Sequence, residues 1–202
     1  MKQFIIKHNL ALFSLAAIAI LIYTLTHWQL MPVTQRMSGL FIFGITLHLW
    51  EEGRFPGGFT EMIASQLNFK GDDLHFGQII TSCYVIFIVF IPFFFPGVLF
   101  LAIAPMLLGL LEVIAHLLAI RMSPTRYYSP GLVTAIFVLM PVSLSTLHYL
   151  VTHRDPAFTD WLFAFLYMAA GLLIAQRIVV SASGMSYREF LMNVKRRLFT
   201  RE

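Results

Sequence analysis

Charge is what this sequence has least of. Only 12% of its 202 residues are Asp, Glu, Lys or Arg, against 58% hydrophobic, and the mean hydropathy is +0.78. Soluble domains carry about twice that share of charge, which excludes a water-soluble globule. Disorder and coiled coil are excluded with it, because both depend on polar or periodically charged sequence. Cysteine is nearly missing too. Cys83 stands alone, so there is no intrachain disulfide and no thiolate metal cluster, and any metal must sit on nitrogen and oxygen. The net charge of +4 and the pI near 9.4 do not indicate nucleic acid. The basic residues flank apolar runs, where they set membrane orientation.

What the sequence does have is a series of runs long enough to cross a bilayer, which takes about 20 mostly apolar residues. Six are expected. The first covers about 10–31; it follows Lys2 and Lys7, lacks a small-residue cleavage site and reads as an uncleaved anchor. The second, about 32–52, opens on Pro32 and closes at Glu51 and Glu52 before Gly53. Residues 79–111 contain no charge and, with their flanks from 75 to 120, are long enough to cross twice, Pro92, Pro96 and Gly97 supplying the reversal. The fifth runs over about 130–151 with a kink expected at Pro141, and the sixth over about 157–180, where Gly171 and Ala175 give a small face for close packing.

The fold class is therefore all-α: a polytopic membrane helix bundle of about six transmembrane helices with an interfacial helix on the cytoplasmic side. That extra helix is expected in the loop 53–74, where Phe59, Met62, Ile63 and Leu67 share one face. Residues 1–186 are expected to form one membrane domain and 187–202 a basic tail lying on anionic headgroups. With both termini cytoplasmic, twelve of the 14 Lys and Arg residues fall inside and only Arg36 and Arg154 outside. The setting expected is an inner (plasma) membrane of bacterial type.

Ionisable residues inside spans cost about 2.5–3.5 kcal/mol each at mid-membrane, so each is a candidate for function. They are few: His48, Glu51 and Glu52 close the second span, and Glu112 and His116 lie in the fourth. Residues at i and i+3 or i+4 share a helix face, so His48 aims with Glu51 and Glu52, and Glu112 with His116. Both spans descend in the same direction, and His116 is four residues before Ile120, about 6 Å at the helical rise. The two edges can therefore meet at one level. Glu112 lies one turn deeper, and His75 is placed to join from the side. His148 is excluded, being about 26 Å beyond Gly131 on an ascending span, and with His27 and His153 it reads as an outer-face histidine.

Mixed imidazole and carboxylate ligands suit a divalent metal, zinc, iron or manganese. The ligands expected are His48, Glu52, Glu112 and His116, with Glu51 as general base and Tyr128 as a further catalytic group at the inner face, where Ser129 offers a hydroxyl beside it. His48-Leu-Trp-Glu51-Glu52 is similar to the H-x-x-E-H helix of inverted zinc peptidases, with Glu in place of the second His. The function expected is an integral membrane enzyme performing metal-assisted hydrolysis or related chemistry on a lipid or other apolar substrate at the cytoplasmic leaflet. Two alternatives remain. One is metal-free Glu/His acid–base catalysis, as in double-bond isomerases; the stretch from His48 to Gly53 is loosely similar to the His/Glu helix of sterol isomerases. The other is a proton-coupled transporter using Glu112 and His116. The partners expected are the lipid bilayer and a lipid or apolar small molecule, with no nucleic acid.

The sequence also resembles the HXXEE-motif family of membrane proteins, whose pattern is H-x-x-E-E, a further histidine and Y-x-P-G. His48-Leu49-Trp50-Glu51-Glu52 matches the first part and Tyr128-Ser129-Pro130-Gly131 the last, and the likeness covers about 40–175. Depth, not the family pattern, places the further histidine at His116. The resemblance implies an integral membrane enzyme and names no substrate.

Overall fold

A computed structural model describes residues 2–69, 74–123 and 127–199, leaving aside the side chains of 2–7, 74–76, 78, 198 and 199. The His75 side chain, expected to join the site, thus lies outside the described residues. Eight helices and no strand are found among the described residues. They are α1 (Lys2–Thr26), α2 (Val33–Gly53), α3 (Phe59–Leu67), α4 (74–93), α5 (Leu99–Met122), α6 (Leu132–His153), α7 (Phe158–Ala182) and α8 (Tyr187–Phe199). Four stretches are long and apolar enough to cross a membrane: His8–Thr26 of α1 and the whole of α5, α6 and α7. The chain is an all-helical membrane bundle. α2 has 21 residues but carries Arg36, Glu51 and Glu52, and the described apolar part of α4 is Ile79–Phe93.

Water does not drive these helices together, because lipid tails are as apolar as leucine; contact comes from close fit and a few hydrogen bonds. α2 lies at the centre, with Phe41, Ile42 and Ile45 buried against Ile88 of α4, Ile103 and Met106 of α5 and Leu139 of α6. Gly171 lets α7 approach α4: a Cβ there would stand 3.0 Å from the Tyr84 ring, which is the use expected of the small face. At one end of the bundle Thr34 Oγ1 donates to the Pro96 carbonyl (2.9 Å) and Gln35 Nε2 to that of Phe93 (3.1 Å), tying the α4–α5 turn to the start of α2. The opposite end carries α3 and α8.

Three prolines, Pro92, Pro105 and Pro141, sit inside helices without breaking them. In α4 the segment Ile86–Phe90 is a π-turn, and in α6 Ala135–Leu139 is another, each immediately ahead of a proline-containing turn, with Pro92 and Pro141. A proline has no N–H to give. In α4, Ile91 N–H returns to the Ile86 carbonyl, and the Phe87 carbonyl receives the Tyr167 hydroxyl from α7 instead. Pro92 is therefore part of α4; the reversal is made by residues 94–98, with Pro96 and Gly97. The Tyr167→Phe variant should lose about 1 kcal/mol, the net worth of a hydrogen bond whose carbonyl is left without a donor. Unfolding in detergent, compared with parent, measures this.

The interfacial helix forms where its apolar spacing placed it. Leu67 of α3 is buried in a small cluster with Met122, Val180, Met185 and Phe190. α8 begins at Tyr187 and packs on α3: Asn193 Nδ2 donates to the Leu67 carbonyl (2.9 Å) and Arg197 Nε to that of Gln66 (3.1 Å). These are last-turn carbonyls of α3, which have no partner within their own helix. Asn193 and Arg197 of α8 thus cap α3.

Candidate metal centre

His48 and Glu52 stand on the last turns of α2, Glu112 and His116 on the last turns of α5, each pair at i and i+4. The structure brings all four together. His48 Nε2 and His116 Nε2 are 3.3 Å apart, their rings edge to face. Glu52 Oε1 lies 3.3 Å from His116 Nε2 and 3.8 Å from His48 Nε2, and Glu112 Oε2 lies 3.7 and 3.8 Å from the same two nitrogens. Neighbouring donors of a tetrahedral N/O site with bonds of about 2.0–2.1 Å stand about 3.3 Å apart, so the nitrogens and the Glu52 oxygen are close to a ligand cage without moving. His48, Glu52 and His116 could hold a metal ion, one donor atom from each lying within 4.8 Å of the others.

The imidazoles are sealed and the carboxylates are not. His48 and His116 side chains are 2% and 0% exposed, those of Glu52 and Glu112 17% and 26%, so among the described residues the exposed side of the group is its carboxylate side. Phe59, the first residue of α3, lies on His116 with ring centroids 4.7 Å apart. The interfacial helix therefore covers one face of the centre.

The turn 128–134 forms the outer support. His48 Nδ1 is 3.1 Å from the Gly131 carbonyl and 3.0 Å from Thr134 Oγ1, and His116 Nδ1 is 3.2 Å from the buried Ser129 hydroxyl. Gly131 has φ +103, and a Cβ on it would fall 2.6 Å from His116 Nε2 and 2.9 Å from His48 Cε1. Only glycine satisfies both the backbone angle and the space.

Glu51 points away from its neighbour Glu52, at the N-terminus of α6. Its Oε1 accepts from Tyr128 OH (2.7 Å) and Val133 N–H (3.1 Å), its Oε2 from Thr134 N–H (2.7 Å) and Thr134 OH (2.6 Å). The two amides belong to the first turn of α6, where helical N–H groups have no internal partner and a negative charge is favoured. Tyr128 thus reaches Glu51. Burial, together with the Glu51 carboxylate, holds its phenol above its ordinary range, so it stays a donor. The roles of Gly131 and Thr134 were not read from sequence; Gly131 was marked only as the last letter of Y-x-P-G, and Thr134 only by its short spacing from Tyr128.

His27, His148 and His153 lie elsewhere. His148 is exposed on α6. His27 follows α1 and His153 ends α6; they pair with their neighbours Thr26 (3.0 Å) and Thr152 (2.6 Å) while stacking on Tyr23 and Tyr149.

No curated protein and no solved structure matches the chain. One family model does, described as protein of unknown function with HXXEE motif, and its match over residues 39–146 takes in His48 to Glu52, Glu112, His116 and Tyr128 to Gly131 but stops short of α7. With more than half of its length covered, the chain belongs to the HXXEE-motif family.

Proposed function

We propose that His48, His116 and Glu52, with Glu112 beside them, bind a divalent metal ion, and that the protein is a membrane-embedded hydrolase acting on a lipid or similarly apolar substrate. One observation carries the reading: two imidazole nitrogens and two carboxylate oxygens converge within 3.3–3.8 Å at the end of an otherwise apolar bundle. Such an array is costly to bury unless a cation or protons compensate it. Nitrogen and oxygen donors suit zinc, iron or manganese. When bound, the ion would act as a Lewis acid that polarises a carbonyl or phosphoryl oxygen.

The chain's own residues supply the rest. Glu112 is the most exposed of the four and stands farthest from the nitrogens, which suits it to take a proton from an attacking water. The open carboxylate side gives substrate its approach, while Phe59 and the buried rings keep solvent from the opposite face. Support for an apolar substrate comes from the position of the group inside a lipid-immersed bundle. The contact of His48 with Gly131 makes α2 and α6 antiparallel, so Arg36 and Arg154 lie at the end remote from the site. By the charge asymmetry the site end is cytoplasmic, with both termini on that side and six crossings in all.

Metal analysis of the purified full-length protein is the test. About one divalent ion per chain is expected, lost in His48→Ala and in His116→Ala and retained in His148→Ala. A parent without metal, or equal metal in all three variants, overturns this reading in favour of acid–base chemistry, which a proton shared across the 3.3 Å gap between the imidazoles would also accommodate.

A further inference from the structure

We infer that Thr134 is a positioning residue, which fixes His48 as the Nδ1–H tautomer and so leaves the Nε2 lone pair facing the centre. The inference rests on the metal reading for its purpose but not for its geometry. Thr134 Oγ1 has one proton and three neighbours that could take it: Glu51 Oε2 at 2.6 Å, His48 Nδ1 at 3.0 Å and the Gly131 carbonyl at 3.2 Å. The carboxylate is both nearest and charged, and charge-assisted bonds are the shorter and stronger ones. Were the proton given to His48 instead, Thr134 Oγ1 and Glu51 Oε2 would face each other as two acceptors at 2.6 Å. Thr134 therefore donates to Glu51 and only accepts from His48.

The second neighbour of His48 Nδ1 agrees. The Gly131 carbonyl, at 3.1 Å, is an acceptor and can never donate. Nδ1 thus lies between two acceptors and must carry hydrogen. A neutral imidazole has one N–H, so Nε2 is left bare, 3.8 Å from both Glu52 and Glu112 and 3.3 Å from His116 Nε2. A metal-bound histidine usually donates its other N–H to an oxygen in this way. Here Glu51 enforces the pattern from one helix turn away, by claiming the only proton Thr134 has. Thr134 acts through the His48 ring, on the side away from Nε2.

Thr134→Val keeps the shape and removes the hydroxyl, whereas Thr134→Ser keeps the hydroxyl. Zinc affinity of the full-length protein, measured by chelator competition, should fall about 10–100-fold in Thr134→Val and return to within a few-fold of parent in Thr134→Ser. Undiminished affinity in the valine variant, or a serine variant as weak as valine, overturns the inference. A second measurement stands apart from both folding of the variants and metal binding. In metal-free parent protein labelled with 15N-histidine, the His48 signals at alkaline pH should show Nδ1 protonated and Nε2 bare; the reverse tautomer overturns the inference. If the parent binds no zinc, the metal reading fails, while the reverse tautomer would still overturn the inference about Thr134.

Discussion

Gly131→Ala should abolish metal binding while leaving the helices intact. Two costs fall on that substitution. The first is the backbone: at φ +103 an alanine is strained by about 1–2 kcal/mol. The second is local and larger, because the new Cβ would stand 2.6 Å from His116 Nε2 and 2.9 Å from His48 Cε1, whereas non-bonded carbons rest at about 3.5–4.0 Å. Both rings would have to move by about 1 Å, and the 3.3 Å approach of their nitrogens would be lost. Gly184→Ala separates the two costs, since Gly184 also has positive φ (+72) but nothing within 4 Å of its built Cβ. We expect Gly184→Ala to lose only the strain and to bind zinc like the parent, and Gly131→Ala to bind at least 100-fold more weakly. Equal affinity in the two variants would mean that the rings do not depend on Gly131 for their placement.

The two ligand pairs were legible in the sequence because helix geometry is rigid. Once α2 and α5 are known to run in the same direction, the spacing of His48 to Glu52 and of Glu112 to His116 sets a face for each pair, and distance from the span ends sets a level. Phe59, Met62, Ile63 and Leu67 announced α3 by the same periodicity. The support around the histidines was not legible, since it is made by the backbone of a turn. Nothing in the letters Ser-Pro-Gly-Leu-Val-Thr fixes φ at Gly131 or aims its carbonyl at a ring contributed 83 residues earlier in the chain. Pro92 misled for a related reason. A missing N–H can be met by a break or by a π-turn, and here the choice in α4 goes with the Tyr167 hydroxyl on α7.

Glu51→Gln separates the two roles open to this carboxylate. A general base would lose its proton acceptor on substitution, so turnover would fall while metal and stability remained. The hydrogen bonds around Glu51 support a different outcome. Its two oxygens meet four donors, Tyr128 OH, Val133 N–H, Thr134 N–H and Thr134 OH, and an ionised carboxylate, an acceptor with about four lone-pair sites, matches them one for one. A glutamine replaces one oxygen with an NH2: the hydroxyl facing it can turn and accept, but the backbone N–H beside it then faces a second donor. Either orientation loses one bond to a charged group, worth about 1.5–3 kcal/mol, and withdraws the negative charge from the first turn of α6. We expect Glu51→Gln to lower stability by about 2 kcal/mol or more and to weaken zinc binding through the displaced Thr134 and Gly131. Glu52→Gln should lose metal with little change in the unfolding midpoint, because the Glu52 carboxylate is partly exposed and sits against the imidazoles. Thermal unfolding and zinc affinity measured on both variants decide the matter. A Glu51→Gln protein as stable and as metal-loaded as the parent would return Glu51 to the role of base, whereas one that is destabilised and metal-poor makes it the N-terminal cap that α2 provides for α6.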